Sequence, residues 1–230
     1  MVKKEVALIQ RQVRSPRSAA IAGIAYALLM ITGMILTASI SQTKPETITR
    51  DTLESWSSTA TIVITLIPFA GIAFLWFTGV IRDRLGEMED QFFTTIFLTS
   101  GTIQVVLLFL WGAVFGALMV TRAIASVGPV DERMYIFGFA LMNEIIGNYG
   151  LRMAGVYMSA INTLWTRTGL MPRWLTIGTY ILALGFLVAA ERIREARYLF
   201  PAWVFVVSIY ILILNYRRTH DQDSVDILEV

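Results

Sequence analysis

Polar side chains recur along the fourth apolar stretch of this 230-residue chain. Glu144, Asn148, Arg152, Ser159 and Asn162 fall within about 80° of one another if each helical residue turns by about 100°. They predict a single polar helix face, here called the seam, about 27 Å long at a rise of about 1.5 Å per residue. A face that carries both charge signs can contact water, an ion or a small polar solute, or it can hydrogen-bond to neighbouring helices.

The two charged residues of the seam are not expected to pair directly. Glu144 and Arg152 are separated by about 12 Å along a helix, and both side chains lean toward its N-terminus. An ionised side chain at the centre of a bilayer costs about 2.5 to 3.5 kcal/mol, so both are predicted to face protein or water. The candidate partners are Gln104 on the preceding helix, and Tyr149 and Tyr157 on the same helix.

The residue types that the chain lacks exclude several chemistries. There is no cysteine, and the one histidine, His220, lies in the polar C-terminal tail. Thiolate metal sites, cysteine nucleophiles and imidazole ligands within an apolar segment are therefore excluded, and no metal or cofactor is expected. Glu144 is the only acid inside an apolar segment, so a catalytic role lacks the second carboxylate that acid–base chemistry commonly uses.

The composition is that of a membrane protein. Hydrophobic residues make up 56% of the chain and charged residues 16%, whereas about a quarter of the residues in soluble domains are charged. The net charge of +2 gives no basic surface that would favour nucleic acid as a partner.

Six apolar runs can each cross, or nearly cross, a bilayer core of about 30 Å. They are Ala19–Ile40, Thr59–Ile81, Phe92–Thr121, Met134–Trp165, Leu175–Ala190 and Tyr198–Tyr216. The sequence therefore predicts an all-α, polytopic transmembrane bundle of six membrane-spanning helices. This single domain covers residues 19–216, after a basic segment at 1–18 and before a polar tail at 217–230.

The distribution of basic residues predicts the orientation. Eleven lysines and arginines lie on the side of the two termini and seven on the opposite side. Because cytoplasmic loops carry the excess of these residues, both termini are predicted to be cytoplasmic.

Three strings resemble a family of bacterial multi-pass membrane proteins that has no assigned activity. They are "FLWFTGVIRDRLGEMEDQFFTTIFLTSG", "NYGLRMAGVYMSAINTLWTRTGLMPRWL" and "FPAW", and the resemblance extends from the second helix to the sixth. It implies a bacterial inner-membrane protein of this topology and implies no activity.

Three functional hypotheses follow from the seam. The first is a small channel or transporter in which the seam contacts a hydrated path. The second is a structural or assembly subunit, in a homo-oligomer or with a membrane-complex partner, in which the seam joins helices. The third and weakest is an intramembrane enzyme that acts on a lipid and uses Glu144. Water at Glu144 would favour the first hypothesis, and a dry, fully hydrogen-bonded seam the second.

Overall fold

The structure is a computed structural model that describes residues 2–41, 50–85, 91–124, 132–169, 171–189 and 194–228. Side chains are described for residues 18–40, 56, 58–83, 91–121, 133–134, 136–169, 171–189 and 195–216. The side chains of the predicted N-terminal segment before Ser18, and of the tail from residue 217, lie outside this set.

All regular structure in the described ranges is helical, which confirms the predicted all-α class. The first three helices are α1 (Val2–Ser41), α2 (Arg50–Leu85) and α3 (Gln91–Ile124). A composite helix follows, made of α4 (Glu132–Asn143), a π-helical segment (Glu144–Gly150) and α5 (Leu151–Thr168). The chain continues through α6 (Arg173–Ala189), a 3₁₀ turn (Arg194–Tyr198) and α7 (Leu199–Leu228).

Four helices are long and apolar enough to cross a membrane. Their apolar portions are Ser18–Ile40, Ser58–Asp83, Gln91–Thr121 and Glu195–Tyr216. Helix α6 is apolar, but it has only 17 residues, and the π segment divides the fourth predicted span. The coarser prediction of a helical protein with several membrane-spanning segments is therefore supported, while the count of six spans remains a prediction.

The helices pack in an order that brings distant parts of the chain together. Helix α1 contacts α2 and α7, α3 contacts α2 and α5, and α5 contacts α6. The ring of Tyr157 is fully buried at the centre of an aromatic cluster. Its ring neighbours are Phe74, Phe97, Phe200 and Trp203.

A tight turn makes α5 and α6 antiparallel neighbours. Gly169 follows α5 with φ of 64°, a left-handed conformation that glycine adopts without steric cost and that commonly ends a helix. The Pro172 carbonyl then accepts the backbone N–H groups of Leu175 and Thr176, both at 3.1 Å, at the start of α6. This turn places the seam of α5 against α6.

Candidate functional site

The π segment interrupts the helix within the seam. The backbone N–H of Leu151 donates to the carbonyl of Ile146, five residues earlier. A Cβ atom on Gly150 would lie 3.1 Å from the carbonyl oxygen of Ile145, so glycine suits this wider turn. The angular positions of an ideal α-helix do not carry across residues 144–150, and π segments of this kind are frequent at functional sites.

Two contacts with α3 show the depth of the π segment in the bundle. Gly138 packs against Leu118, and a Cβ atom on Gly150 would lie 3.9 Å from Nε2 of Gln104. The composite helix and α3 are therefore antiparallel, because the earlier glycine of the composite helix meets the later residue of α3. The residue midway between Gly138 and Gly150 lies level with the midpoint of the α3 stretch from Gln104 to Leu118. That residue is Glu144.

Glu144 therefore lies within the apolar part of the bundle. The midpoint between Leu118 and Gln104 is Trp111, and the apolar portion of α3 continues to Thr121. At a rise of about 1.5 Å per residue, Glu144 is about 15 Å inside the end of that portion. Its side chain is nevertheless exposed on the surface of the chain.

Helix α6 covers only the C-terminal part of the seam. A Cβ atom on Gly155 would lie 2.9 Å from the carbonyl oxygen of Ala183, so the two backbones are very close. Arg152 precedes Gly155 by about one turn and lies beside the last turn of α6, which ends at Ala189. Asn148 and Glu144 lie beyond that end. We call Glu144, Asn148 and, at its border, Arg152 the uncovered face, meaning that α6 does not cover it; the 3₁₀ turn still contacts this segment, and Oδ1 of Asn148 is buried.

The described ends of α6 and α7 lie well short of the far end of α1. Phe200, at the start of α7, packs edge-on against Tyr26 of α1, with ring centroids 6.3 Å apart. The apolar portion of α1 continues from there to Ile40, about 21 Å further at about 1.5 Å per residue. The 3₁₀ turn before α7 contacts the π segment. The described part of the hairpin thus ends level with the interior of α1, and among the described residues neither α6 nor α7 reaches the level of Asn148 and Glu144.

The seam asparagines differ in what they bind. Asn162 is fully buried, and its Nδ2 donates to the carbonyl of Thr176 on α6 at 2.9 Å. Asn148 is half-buried, and its Nδ2 donates to Oε2 of Glu144 at 2.8 Å. Ser159, between them, is also half-buried. The C-terminal part of the seam therefore joins two helices, whereas Glu144 and Asn148 bind each other.

The three candidate partners lie elsewhere. Tyr157 is bonded to Thr78, with 3.0 Å between the two hydroxyl oxygens, and Tyr149 is 60% exposed. Gln104 is buried against Gly150 from the α3 side, and its Oε1 has no hydrogen-bond partner. None of the three is seen bonded to Glu144 or Asn148 in the described structure.

The structure adds one residue that sequence reasoning did not assign to the site. Arg197 lies in the 3₁₀ turn that contacts the π segment. Its Nε is buried without a hydrogen-bond partner, and its guanidinium carbon lies 5.2 Å from the ring centroid of Tyr198. In the sequence, Arg197 belongs to the charged string "RIREAR" before the last apolar run. Such a string by itself indicates an exposed loop. Only the observed end of α6 at Ala189 indicates that it lies near the seam.

Comparison with known proteins found no match to a family model, to a curated protein or to a solved structure. The resemblance to a bacterial membrane-protein family therefore stays a prediction. Among the described residues, no three His, Cys, Asp or Glu side chains are grouped so that they could hold a metal ion.

Proposed function

We propose that this chain is a bacterial inner-membrane transport protein in which an ion or small polar solute contacts the uncovered face. One observation carries the proposal: the Glu144 carboxylate is exposed although it lies about 15 Å inside the apolar portion of α3. A charge at that depth is stable only against water, solute or protein, because exposure to hydrocarbon costs at least about 2.5 to 3.5 kcal/mol.

Two further features support transport. Helices interrupted near mid-depth form the binding sites of many transporters, and the composite helix is interrupted at Glu144–Gly150. The described part of the α6–α7 hairpin ends level with Tyr26, so the proposed water entry lies beside this interruption, on the side of the α1–α2 connection. Water that enters there can reach Glu144 without crossing hydrocarbon.

The proposed topology has six passes with both termini in the cytoplasm. The composite helix and α6 would then enter the bilayer together with the four longer apolar helices. The α1–α2 connection would face the periplasm, so the uncovered face would open to that side.

An assembly subunit is the second candidate. Asn143 and Tyr149 are exposed beside Glu144, so a helix of another subunit could cover these polar groups instead of water. The lipid-enzyme hypothesis has less support, because the hydrogen-bond partner of Glu144 in the described structure is an amide and not a second acid or a nucleophile.

Flux measurements on the purified chain in liposomes test the proposal. The probes are Na⁺, K⁺, H⁺, Cl⁻ and a panel of neutral amino acids. Glu144→Gln keeps the shape and most hydrogen bonds of the side chain but removes its charge. We expect wild type to transport at least one probe and Glu144→Gln to lose most of that flux.

Asp83→Asn is the matched control, because it removes an exposed carboxylate at the end of the apolar portion of α2. It should transport like wild type. Absence of flux for every probe, or equal flux in wild type and Glu144→Gln, would overturn the transport proposal and favour the assembly subunit.

A further inference from the structure

Two buried polar atoms near the interrupted helix lack a hydrogen-bond partner. Oδ1 of Asn148 is a hydrogen-bond acceptor, Nε of Arg197 is a donor, and both are buried without a partner. Their segments, the π segment and the 3₁₀ turn, touch each other. A buried polar atom left unpaired costs about 1 to 3 kcal/mol, so each atom is a candidate for a bound molecule.

The two sides of this contact carry opposite net charges: Glu144 is the only charged residue of the π segment, and the 3₁₀ turn holds Arg194, Arg197 and one acid, Glu195. On the π segment, Nδ2 of Asn148 is already bound to Glu144, so the groups left there for a ligand are oxygen acceptors beside a carboxylate. On the 3₁₀ turn, Arg197 presents a guanidinium, which can donate hydrogen bonds and cannot accept them. Tyr198, under the guanidinium, helps to hold it in place through a cation–π contact.

The charges on the two segments disfavour a ligand that carries only a positive or only a negative charge. A simple cation at Glu144 would lie on a segment that contacts a turn of net positive charge, and a simple anion at Arg197 would lie on a turn that contacts a negatively charged segment. A molecule that carries an ammonium group at one end and a carboxylate at the other satisfies both sides at once.

We propose that the π segment and the 3₁₀ turn form a binding site for a small zwitterionic solute of the α-amino acid class. The ammonium group donates to Glu144 and to Oδ1 of Asn148, and the carboxylate accepts from Arg197. The proposal rests on the proposed transport function and names the substrate class of the same site. Because both atoms are shut off from solvent in this structure, entry requires the turn to move away from the π segment.

Thermal unfolding of the purified full-length chain in detergent tests the site. Glycine, L-alanine and L-glutamine are compared at equal concentration with acetate and methylammonium, which each carry one of the two charges. We expect at least one amino acid to raise the unfolding midpoint, because a ligand that binds the native state stabilises it. Acetate and methylammonium should leave the midpoint unchanged.

Substitutions in the two segments test whether the amino acid binds at the proposed site. Glu144→Gln and Arg197→Gln should each weaken amino-acid binding by at least about tenfold, the loss expected for one charge-assisted hydrogen bond. Arg173→Gln removes an exposed arginine at the opposite end of the same hairpin and should bind like wild type. If Arg197→Gln does not fold, Arg197→Lys keeps the charge but lacks the Nε donor, and it should also bind more weakly.

The outcomes separate this proposal from the transport proposal. Stabilisation by acetate alone, by methylammonium alone or by no probe overturns the zwitterion site, as does amino-acid binding that survives both variants. Binding in detergent requires no translocation. Binding without flux in liposomes would therefore overturn transport but keep the site, and flux without amino-acid binding would overturn the site alone.

Discussion

The two asparagines of the seam, Asn148 and Asn162, have different hydrogen-bond partners. Asn162 is fully buried and joins α5 to α6 through the carbonyl of Thr176. Asn148 binds an exposed carboxylate and retains an unpaired oxygen. The difference arises because Asn162 is opposite α6, whereas Asn148 lies beyond its end. Interhelical bonding is therefore seen at Asn162, whereas a hydrated path at Asn148 and Glu144 is part of the proposed function.

The close approach of α5 to α6 at Gly155 can be tested by substituting this single residue. A methyl group at this position would meet the backbone carbonyl of Ala183 at 2.9 Å, and a backbone atom in a packed helix cannot rotate away. Gly155→Ala should therefore lower the free energy of unfolding by about 1 to 3 kcal/mol, the usual cost of overpacking. Thermal unfolding in detergent measures the change.

Gly185→Ala is the matched control for this variant. A Cβ atom on Gly185 would have no neighbour within 4 Å, and alanine is favoured over glycine in a helix by about 1 kcal/mol. Its unfolding midpoint should equal or exceed that of wild type. If Gly155→Ala were as stable as Gly185→Ala, the close approach of α5 and α6 would be wrong.

The length of the α6–α7 hairpin determines the character of the site at the scale of elements. Helix α6 ends at Ala189, and α7 begins level with Tyr26, well inside the apolar portion of α1. A hairpin two or three turns longer would cover Asn148 and Glu144, and the whole seam would then be an interhelical contact. The exposed carboxylate is thus a consequence of where one helix pair ends.

Single-cysteine variants test whether water fills the space beyond the hairpin. The chain contains no cysteine, so an introduced thiol is the only site for a membrane-impermeant maleimide. Glu144→Cys should react in intact membranes, because the reactive thiolate forms only where water is present.

Ile181→Cys is the control, since Ile181 on α6 is 68% exposed but should face lipid. It should react far more slowly than Glu144→Cys. Similar labelling rates at the two positions would show that Glu144 faces lipid or a partner subunit rather than water.

At the scale of the whole molecule, the first and last described helices, α1 and α7, pack against each other. Gly23 of α1 packs against Ser208 of α7, and Tyr26 packs against Phe200. The two helices are antiparallel, because later residues of α1 meet earlier residues of α7. The start of α1 and the end of α7 therefore lie on one side of the bundle.

Reporter fusions at Met1 and Val230 test the orientation of that side. Eleven basic residues on the side of the termini against seven opposite predict that both fusions are active in the cytoplasm. A reporter that functions only in the periplasm should be inactive at both positions. Activity of such a reporter at Val230 would contradict the predicted orientation.

The helical class and the location of the longest apolar helices could be derived from the sequence. The predicted runs Ala19–Ile40 and Phe92–Thr121 both lie within single helices, α1 and α3. A long apolar stretch in a bilayer must bond its own backbone, and a helix does this within one segment. The alignment of Glu144, Asn148 and Arg152 was also visible, since it needs only helical periodicity.

Only the tertiary structure shows which of these aligned polar residues contact another helix and which are exposed. Three features depend on which helices pack together and at what height: the π segment, the end of α6 at Ala189, and the contact between the 3₁₀ turn and the π segment. Helical periodicity is a local property, whereas these features arise from contacts between residues far apart in the chain, such as Gly155 with Ala183 and Tyr26 with Phe200. For that reason the sequence predicts a polar face, and only the packing of α6 against it separates an interhelical contact from an exposed carboxylate.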